Sequence, residues 1–318
     1  MNSIVLSALL PVVALIAFGV LIGRTGWVAP RLYKLLSDLA FTVLTPALLF
    51  RTMSTVHLEQ LDLKPAAAYI LTLVLVFGGM LLWRGVNRSA AVLALAVTYS
   101  NAVMIGIPLV TLAFGDAGLV TLLTLIPVHS LLLLTTATLV LEFALAHEQH
   151  AALSAGLAAS GRILRVTGQA LRKSLLHPVP LPILAGLLFA STGLQLPGVV
   201  DSALRAIGSL FGPLSLALVG MTLAGSAMRT HWRGALWLAG LKNLAVPALA
   251  ALLGIALGLR GVPLSVLVVT AALPMGANVF VFSRRYGVAQ ELTTAAVATS
   301  TVLAALTVSI TLLLLGPA

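Results

Sequence analysis

TYSNAVMIGIPL, at residues 98–109, and LPMGANVFVF, at residues 273–282, are hydrophobic stretches that break in the middle. Each lies inside an apolar run long enough to enter a bilayer, and each combines Asn, Gly and Pro. A backbone polar group without a partner is costly in hydrocarbon, so such a break survives only beside protein or a water-filled cavity. We therefore expect the two broken stretches to meet and to form a transport site.

The composition is typical of a polytopic membrane protein. Of the 318 residues, 60% are hydrophobic and 8% are charged, whereas about 25% of the residues of a soluble domain are charged. A net charge of +10 also occurs in nucleic-acid-binding proteins. Here the basic residues fall in short loops between apolar spans, so we expect no nucleic acid partner. The absence of cysteine excludes disulfides and thiolate metal sites, and we expect no metal or other cofactor.

A membrane-spanning helix needs about 20 mostly apolar residues, and the sequence predicts ten such helices in an all-α polytopic membrane protein. The spans lie at about 4–22, 33–53, 65–83, 89–114, 118–145, 179–194, 203–227, 234–258, 263–283 and 290–315. The longest polar interruption follows span five. It divides the chain into a first five-helix repeat, a cytoplasmic connecting loop and a second repeat, at residues 1–146, 147–178 and 179–318.

The orientation follows from the lysine and arginine residues, which concentrate in cytoplasmic loops. The basic-rich side carries Arg24, Arg31, Lys34, Arg84, Arg88, Arg162, Arg165, Arg172, Lys173, Arg229, Arg233, Arg284 and Arg285. The opposite side carries Arg51, Lys64, Arg205 and Arg260, while Lys242 lies within a span. We therefore predict that the basic-rich side is cytoplasmic and that both termini lie on the outer (periplasmic) side.

Five spans per half give the halves opposite orientations, so similarity between them predicts inverted repeats. TVLTPALL at 42–49, in span two, resembles LFGPLSLA at 210–217, in span seven. The fourth span of each half carries a break, with Asn101 about twelve residues into its span and Pro274 about eleven. At about 1.5 Å per residue both lie about 17 Å deep, near the middle of a hydrocarbon core of roughly 30 Å.

The two broken stretches and the motif LKNLAVP at 241–247 resemble the auxin efflux carrier family of transporters. The resemblance extends over essentially the whole chain. It implies a ten-helix fold like that of the bile acid–sodium symporters, with a scaffold (panel) domain and a crossover domain that are each built from both repeats. Broken helices four and nine would cross at the midplane. The resemblance also implies a carrier of an organic anion, and we expect it in a bacterial cytoplasmic (inner) membrane.

One departure from the family concerns the first break. Plant members typically have proline directly before the asparagine, where this chain has Ser100. Pro108 is then the only helix-breaking proline in span four, and the sequence alone does not fix where the helix unwinds. We expect the shape of the two breaks to depend on Ser100, Gly106, Pro108, Pro274 and Gly276.

Asn101 and Asn278 are the candidates for direct substrate contact. An amide donates two hydrogen bonds and accepts others, so it can hold a carboxylate. The helix N-termini that follow the breaks add partial positive charge toward an anion. Alternatively, each asparagine only caps the broken helix ends.

Lys242 is the third candidate for substrate binding. A cation near the bilayer centre costs about 3 kcal/mol, so it should face the interior or have a partner. There it could attract an anionic substrate, and the resemblance supports this role because lysine is usual at this position in the family. The alternative is a lysine that snorkels to the cytoplasmic headgroups.

His129 and Asp38 are candidates for ion or proton coupling. His129 falls near the middle of span five, where it is either a proton relay or a hydrogen-bonded packing residue. Asp38 lies roughly two turns into span two. It either pairs with a coupling ion or lies at the cytoplasmic interface near Arg31 and Lys34.

The motifs favour transport over catalysis. There is no zinc-protease signature, serine nucleophile elbow or phosphate-binding loop, so we expect no enzyme. The leading hypothesis is a secondary active transporter that moves a small organic anion by alternating access at the crossover site. The alternatives are a passive anion channel and a sodium- or proton-coupled symporter of a bile-acid-like anion. The expected partners are the anion and the lipid bilayer, and proton coupling, sodium coupling and a homodimer stay open.

Overall fold

The computed structural model describes residues 2–55, 62–150, 180–224, 231–276 and 278–315. Every regular element in these residues is helical, which confirms the all-α prediction for the described part of the chain. The α-helices are α1 (Asn2–Thr25), α2 (Pro30–Leu39), α3 (Thr45–Ser54), α4 (Lys64–Arg84), α5 (Arg88–Thr98), α6 (Ile107–His150), α7 (Pro180–Ser191), α8 (Gly198–Ser209), α9 (Phe211–Ala224), α10 (Trp232–Gly240), α11 (Val246–Ala256), α12 (Gly261–Ala272), α13 (Asn278–Tyr286) and α14 (Gln290–Leu315). Three π-helical turns join some of them: π1 (Ala40–Leu44), π2 (Ala102–Gly106) and π3 (Leu241–Ala245).

In the described part of the chain, six helical segments are long and apolar enough to cross a membrane. They are Pro30–Ser54, Lys64–Arg84, Ala102–Leu145, Gly198–Thr222, Trp232–Ala256 and Gln290–Leu315. Four shorter apolar helices are Val13–Thr25, Arg88–Thr98, Leu181–Ser191 and Gly261–Ala272. The predicted connecting loop lies outside the described residues beyond residue 150, and residues 147–150 still belong to α6.

Each π-turn precedes a helix whose second residue is proline. These prolines are Pro46 in α3, Pro108 in α6 and Pro247 in α11. Proline lacks an N–H and its ring clashes with the carbonyl four residues earlier, so the wider π-turn accommodates it without ending the helix. Pro108 is therefore not the breaking residue of span four. The carbonyl of Met104, four residues before it, accepts a hydrogen bond from the Ser215 hydroxyl at 3.0 Å.

The long helix α6 bends sharply at Gly115. Gly115 has φ 62° and ψ −155°, a conformation that side chains other than glycine's rarely permit. A Cβ there would meet no atom within 4 Å, so the backbone angles and not the packing require glycine. The bend lies between the predicted end of span four and the predicted start of span five.

Buried apolar side chains form two large clusters. The first contains residues from π1, α3, π2, α6, α7, α9, α12 and α14. The second contains residues from α4, α5, α6, α10, α11, α12, α13 and α14. The second broken stretch contributes to both, because Leu273 packs in the first cluster and Met275 in the second. The broken stretches thus lie where the two clusters meet.

Candidate functional site

The two broken stretches contact each other through their backbones. Ser100 and Met275 form an isolated antiparallel bridge. Two N–H···O=C hydrogen bonds flank this bridge: Asn101 to Pro274 at 2.8 Å and Gly276 to Tyr99 at 2.9 Å. Each stretch donates one bond from the residue after the bridge and accepts one at the residue before it. The contact therefore has a local two-fold symmetry.

The second break is encoded by its proline. Leu273 precedes Pro274 and has φ −56° and ψ 152°. A residue before proline is driven out of the helical region by the proline ring, so α12 ends at Ala272. The helical conformation resumes with α13 at Asn278.

The first break has no proline at the point where α5 ends. It is held there by a side chain from α6. Tyr99 is extended, with φ −83° and ψ 110°, and α5 ends at Thr98. The Ser100 N–H donates to Nε2 of His129 at 3.2 Å instead of to a helix carbonyl. His129 thus accepts the hydrogen bond from the N–H group that a proline at position 100 would lack.

Further contacts surround His129. Its side chain is 1% exposed and packs against the rings of Tyr99 and Tyr69, with centroids 4.4 and 5.7 Å away. The Tyr69 hydroxyl on α4 lies 3.1 Å from the Ser100 hydroxyl. The first break is therefore braced from α4 and α6 by neutral polar groups. His129 was predicted as a proton relay or a packing residue, and its place beside the break is compatible with both roles.

The second break is braced in a matching way from π3 and α14. The Met275 N–H donates to the Ser300 hydroxyl at 3.1 Å. The Ser300 hydroxyl donates to Oδ1 of Asn243 at 2.7 Å. The Asn243 amide in turn donates to the carbonyl of Ala272, the last residue of α12, at 2.9 Å. One chain of hydrogen bonds thus satisfies both sides of the break.

Lys242 places a cation beside the same helix end. Its side chain is fully buried, and Nζ donates to the Ala271 carbonyl at 2.5 Å. The C-terminus of a helix carries partial negative charge, so the ammonium group and the end of α12 stabilise each other. Lys242 faces the protein interior, and the alternative that it snorkels to the headgroups is wrong.

The two asparagines differ in what they bind. The Asn101 side chain does not cap π2 and makes no hydrogen bond to any described residue. Asn278 donates to the Tyr99 hydroxyl at 2.7 Å, and that hydroxyl lies 3.4 Å from the Ser130 hydroxyl. Two groups at the crossing therefore have no hydrogen-bond partner among the described residues: the Asn101 amide and Nδ1 of His129.

Helix N-termini follow both breaks. After the first break, Ile105 and Gly106 donate to the Asn101 carbonyl at 3.3 and 3.1 Å, so the N–H groups of residues 102–104 precede the first intrahelical bonds. After the second break, α13 starts at Asn278. Free N–H groups and the positive ends of helix dipoles favour an anion. The crossing therefore combines amide donors with two positive helix ends.

The remaining predicted residues have clear places. Gly106 and Gly276 permit close packing, because a Cβ would lie 2.7 Å from Leu273 Cδ1 and 2.6 Å from Tyr99 Cδ1 respectively. Asp38 forms an ion pair with Lys34 at 2.6 Å, and its side chain is 56% exposed. This surface position on α2 matches the interface alternative for Asp38.

The contributions of five residues were not predicted: Tyr69, Tyr99, Ser130, Asn243 and Ser300. Tyr99, Ser130 and Asn243 directly precede or follow predicted site residues, so their position was a usable signal. Tyr69 and Ser300 carry no such signal, because each lies in a helix that contains no predicted site residue. No cluster of three or more His, Asp or Glu residues in the described part of the chain is placed to hold a metal ion.

Comparison with known families gives one match. A family model described as "Membrane transport protein" matches residues 4–312, which is nearly the whole chain. A comparison with curated proteins finds no match. The matched range contains both broken stretches and all residues that brace them.

Proposed function

Because the chain belongs to the auxin efflux carrier family of membrane transport proteins, which is not an enzyme family, we propose that it is a secondary active transporter of a small organic anion. The anion, a carboxylate, binds where the two broken stretches cross. The observation that carries this proposal is the crossing itself: two paired breaks, two positive helix ends and an Asn101 amide without a partner among the described residues.

We assign distinct roles to the polar residues at the crossing. Asn101 and Asn278 donate hydrogen bonds to the carboxylate, because amide N–H groups suit its oxygens. Lys242 contributes a basic side chain, whose Nζ is already bonded to the Ala271 carbonyl at the end of α12. His129 is the titratable group that contacts the first break, and we propose it as a proton relay. Asp38 has no assigned contact with the anion.

The architecture proposed for transport has ten spans in two inverted repeats. The short apolar helices complete this count when α5 joins π2 and the start of α6, and when α12 joins α13. The matching braces support the repeats. In each half, the N–H at the bridge is accepted by a side chain from the fifth span, His129 or Ser300. In each half, the third span supplies the next polar group, Tyr69 or Asn243.

Alternating access then requires one part of the protein to move against another. The two apolar clusters adjoin at the crossing, and α6, α12 and α14 contribute residues to both. Scaffold and crossover domains would each contain parts of both repeats. We propose a location in the bacterial inner membrane with both termini outside, as the distribution of basic residues predicts.

Counterflow in proteoliposomes tests the proposal. Vesicles loaded with unlabelled succinate or benzoate, as a dicarboxylate and an aromatic acid, should accelerate uptake of the same labelled anion, and uptake should saturate. A passive channel gives neither acceleration nor saturation. The double variant Asn101→Ala/Asn278→Ala should abolish counterflow.

The matched control for the counterflow test is Asn87→Ala. Asn87 caps the other end of α5, where its side chain accepts from the Ala90 N–H at 2.8 Å. This change removes an amide of the same size from the opposite end of α5, far from the crossing. It should leave counterflow intact. Transport by the double variant at the level of this control would contradict the site.

A further inference from the structure

Three of the four tryptophans gather where α4 ends and α10 begins. The rings of Trp83 and Trp237 contact each other, with centroids 5.1 Å apart. Both are open to the surroundings of the protein, at 63% and 42% exposure, and Trp232 is 57% exposed. Large aromatic rings with this exposure do not serve the buried core, so their contact with each other needs another explanation.

Two arginines lie against these rings. The Arg84 guanidinium carbon is 4.9 Å from the ring centroid of Trp83 and 5.8 Å from that of Trp237. The Arg233 guanidinium is 5.3 Å from the ring of Trp232. Neither arginine forms an ion pair with a described residue. The neighbouring carboxylate, Glu291, instead lies 3.5 Å from His231.

We call these five residues the tryptophan–arginine patch: Trp83, Arg84, Trp232, Arg233 and Trp237. Its arginines lie in the first or last turn of their helices, on the predicted cytoplasmic side. Leu82 and Leu236, beside the patch in sequence, are 90% and 49% exposed. Exposed leucines suit acyl chains, tryptophan rings suit the interface, and arginines suit the phosphate level. The end of α4 follows the layers of one leaflet, because Leu82, Trp83 and Arg84 succeed one another toward the end of the helix.

We propose that the tryptophan–arginine patch binds the headgroup of an anionic phospholipid. Arg84 and Arg233 donate hydrogen bonds to the phosphodiester oxygens, which guanidinium groups bind through two parallel N–H donors. The stacked rings hold Arg84 in place before the lipid arrives, which lowers the entropy lost on binding. The same rings cover the glycerol and upper acyl region.

This lipid site would connect to the crossing through its own helices. α4 carries Tyr69, which contacts Ser100 at the first break. α10 continues into π3, which carries Lys242 and Asn243 at the second break. A lipid that joins the ends of α4 and α10 therefore steadies the two elements that brace the crossing. The binding claim itself does not depend on the proposed transport function.

Native mass spectrometry of the full chain in detergent tests the claim. Phosphatidylglycerol and phosphatidylcholine with identical acyl chains are titrated separately. We expect one phosphatidylglycerol to be retained about tenfold more strongly than phosphatidylcholine, because the arginines attract an anionic headgroup, whereas the choline of phosphatidylcholine neutralises its phosphate. Arg84→Gln/Arg233→Gln should reduce phosphatidylglycerol retention to the phosphatidylcholine level.

The matched control is Arg24→Gln/Arg31→Gln. Both residues lie on the same predicted side but outside the patch, so this variant should keep the preference. Equal retention of the two lipids by the wild-type chain would overturn the proposal, and so would an equal loss in the control variant. Competition by inorganic phosphate at millimolar concentration would identify a phosphate site instead. A change from dimer to monomer in the patch variant would identify a protein interface.

A second pair of variants covers the case in which the arginine variant does not fold. Trp83→Leu/Trp237→Leu keeps the surface apolar and both charges in place, but removes the rings that hold Arg84. It should weaken phosphatidylglycerol retention and leave phosphatidylcholine retention unchanged. An unchanged preference in this variant would contradict the role of the ring pair.

Discussion

The first break is held by neutral groups, whereas the second is held by a cation and an amide. At the first, His129 accepts the Ser100 N–H and Tyr69 contacts the Ser100 hydroxyl. At the second, Ser300 accepts the equivalent Met275 N–H. Two side chains also cap the helix that precedes the second break: Lys242 and Asn243 donate to the last two carbonyls of α12.

The end of α5 has no such cap. Among the described residues, no side chain donates to the carbonyls of Ala96 and Val97, which correspond to Ala271 and Ala272 across the bridge. The second break is thus fixed by its proline, by Ser300 and by two caps on the helix before it, while the first is fixed by the His129 ring nitrogen and the Tyr69 hydroxyl. We infer that the second break is the rigid partner at the crossing and that the first is the adjustable one.

Lys242→Met should have the largest effect, because it removes the basic side chain that is bonded to the end of α12 at the second break. Loss of a nearby unit charge weakens anion binding by about 2 kcal/mol, or roughly thirtyfold in Kd. Anion-induced thermal stabilisation measures this change, with Lys64→Met as the control because Lys64 lies at the exposed start of α4. An unchanged Kd would show that Lys242 only caps α12 and does not contribute to anion binding.

Gly276→Ala should come next, because it forces the two breaks apart. The added Cβ would lie 2.6 Å from Tyr99 Cδ1 and 3.2 Å from the Ser100 carbonyl oxygen. Overpacking of this kind costs about 2 kcal/mol. The unfolding temperature should fall. The control Gly78→Ala, where a Cβ meets nothing within 4 Å, should leave the unfolding temperature unchanged or raise it. A Gly276→Ala protein as stable as the wild type would show that the two breaks do not pack this closely.

His129→Leu should have a smaller effect that a second substitution reverses. It leaves the buried Ser100 N–H without an acceptor, at a cost of about 1.5 kcal/mol. Ser100→Pro removes that N–H, and Tyr99 already has the extended conformation that proline requires before it. The double variant should therefore unfold at a higher temperature than His129→Leu alone. Additive destabilisation would mean that His129 does not replace a proline.

The outline of this crossing could be predicted from the sequence, but its bracing could not. Asn, Gly and Pro inside apolar runs mark both breaks, because such residues are costly there without a structural reason. The partner of Ser100 lies 29 residues away on another helix, so no local pattern identifies it. The π-turn before Pro108 could not be predicted for the same reason, since whether a proline breaks a helix or follows a π-turn depends on the partner available to the freed carbonyl.

The most direct test of the account is the effect of Asn101→Ala on stability and on anion affinity, measured on the same protein. The Asn101 amide has no partner among the described residues, so without anion the free energy of unfolding should change by less than about 0.5 kcal/mol. The Kd of the transported anion should rise at least about tenfold, since a hydrogen bond to a charged group contributes about 1.5–3 kcal/mol. A variant that is destabilised but binds the anion as tightly as the wild type would show that Asn101 only supports the break, and would contradict the proposed site.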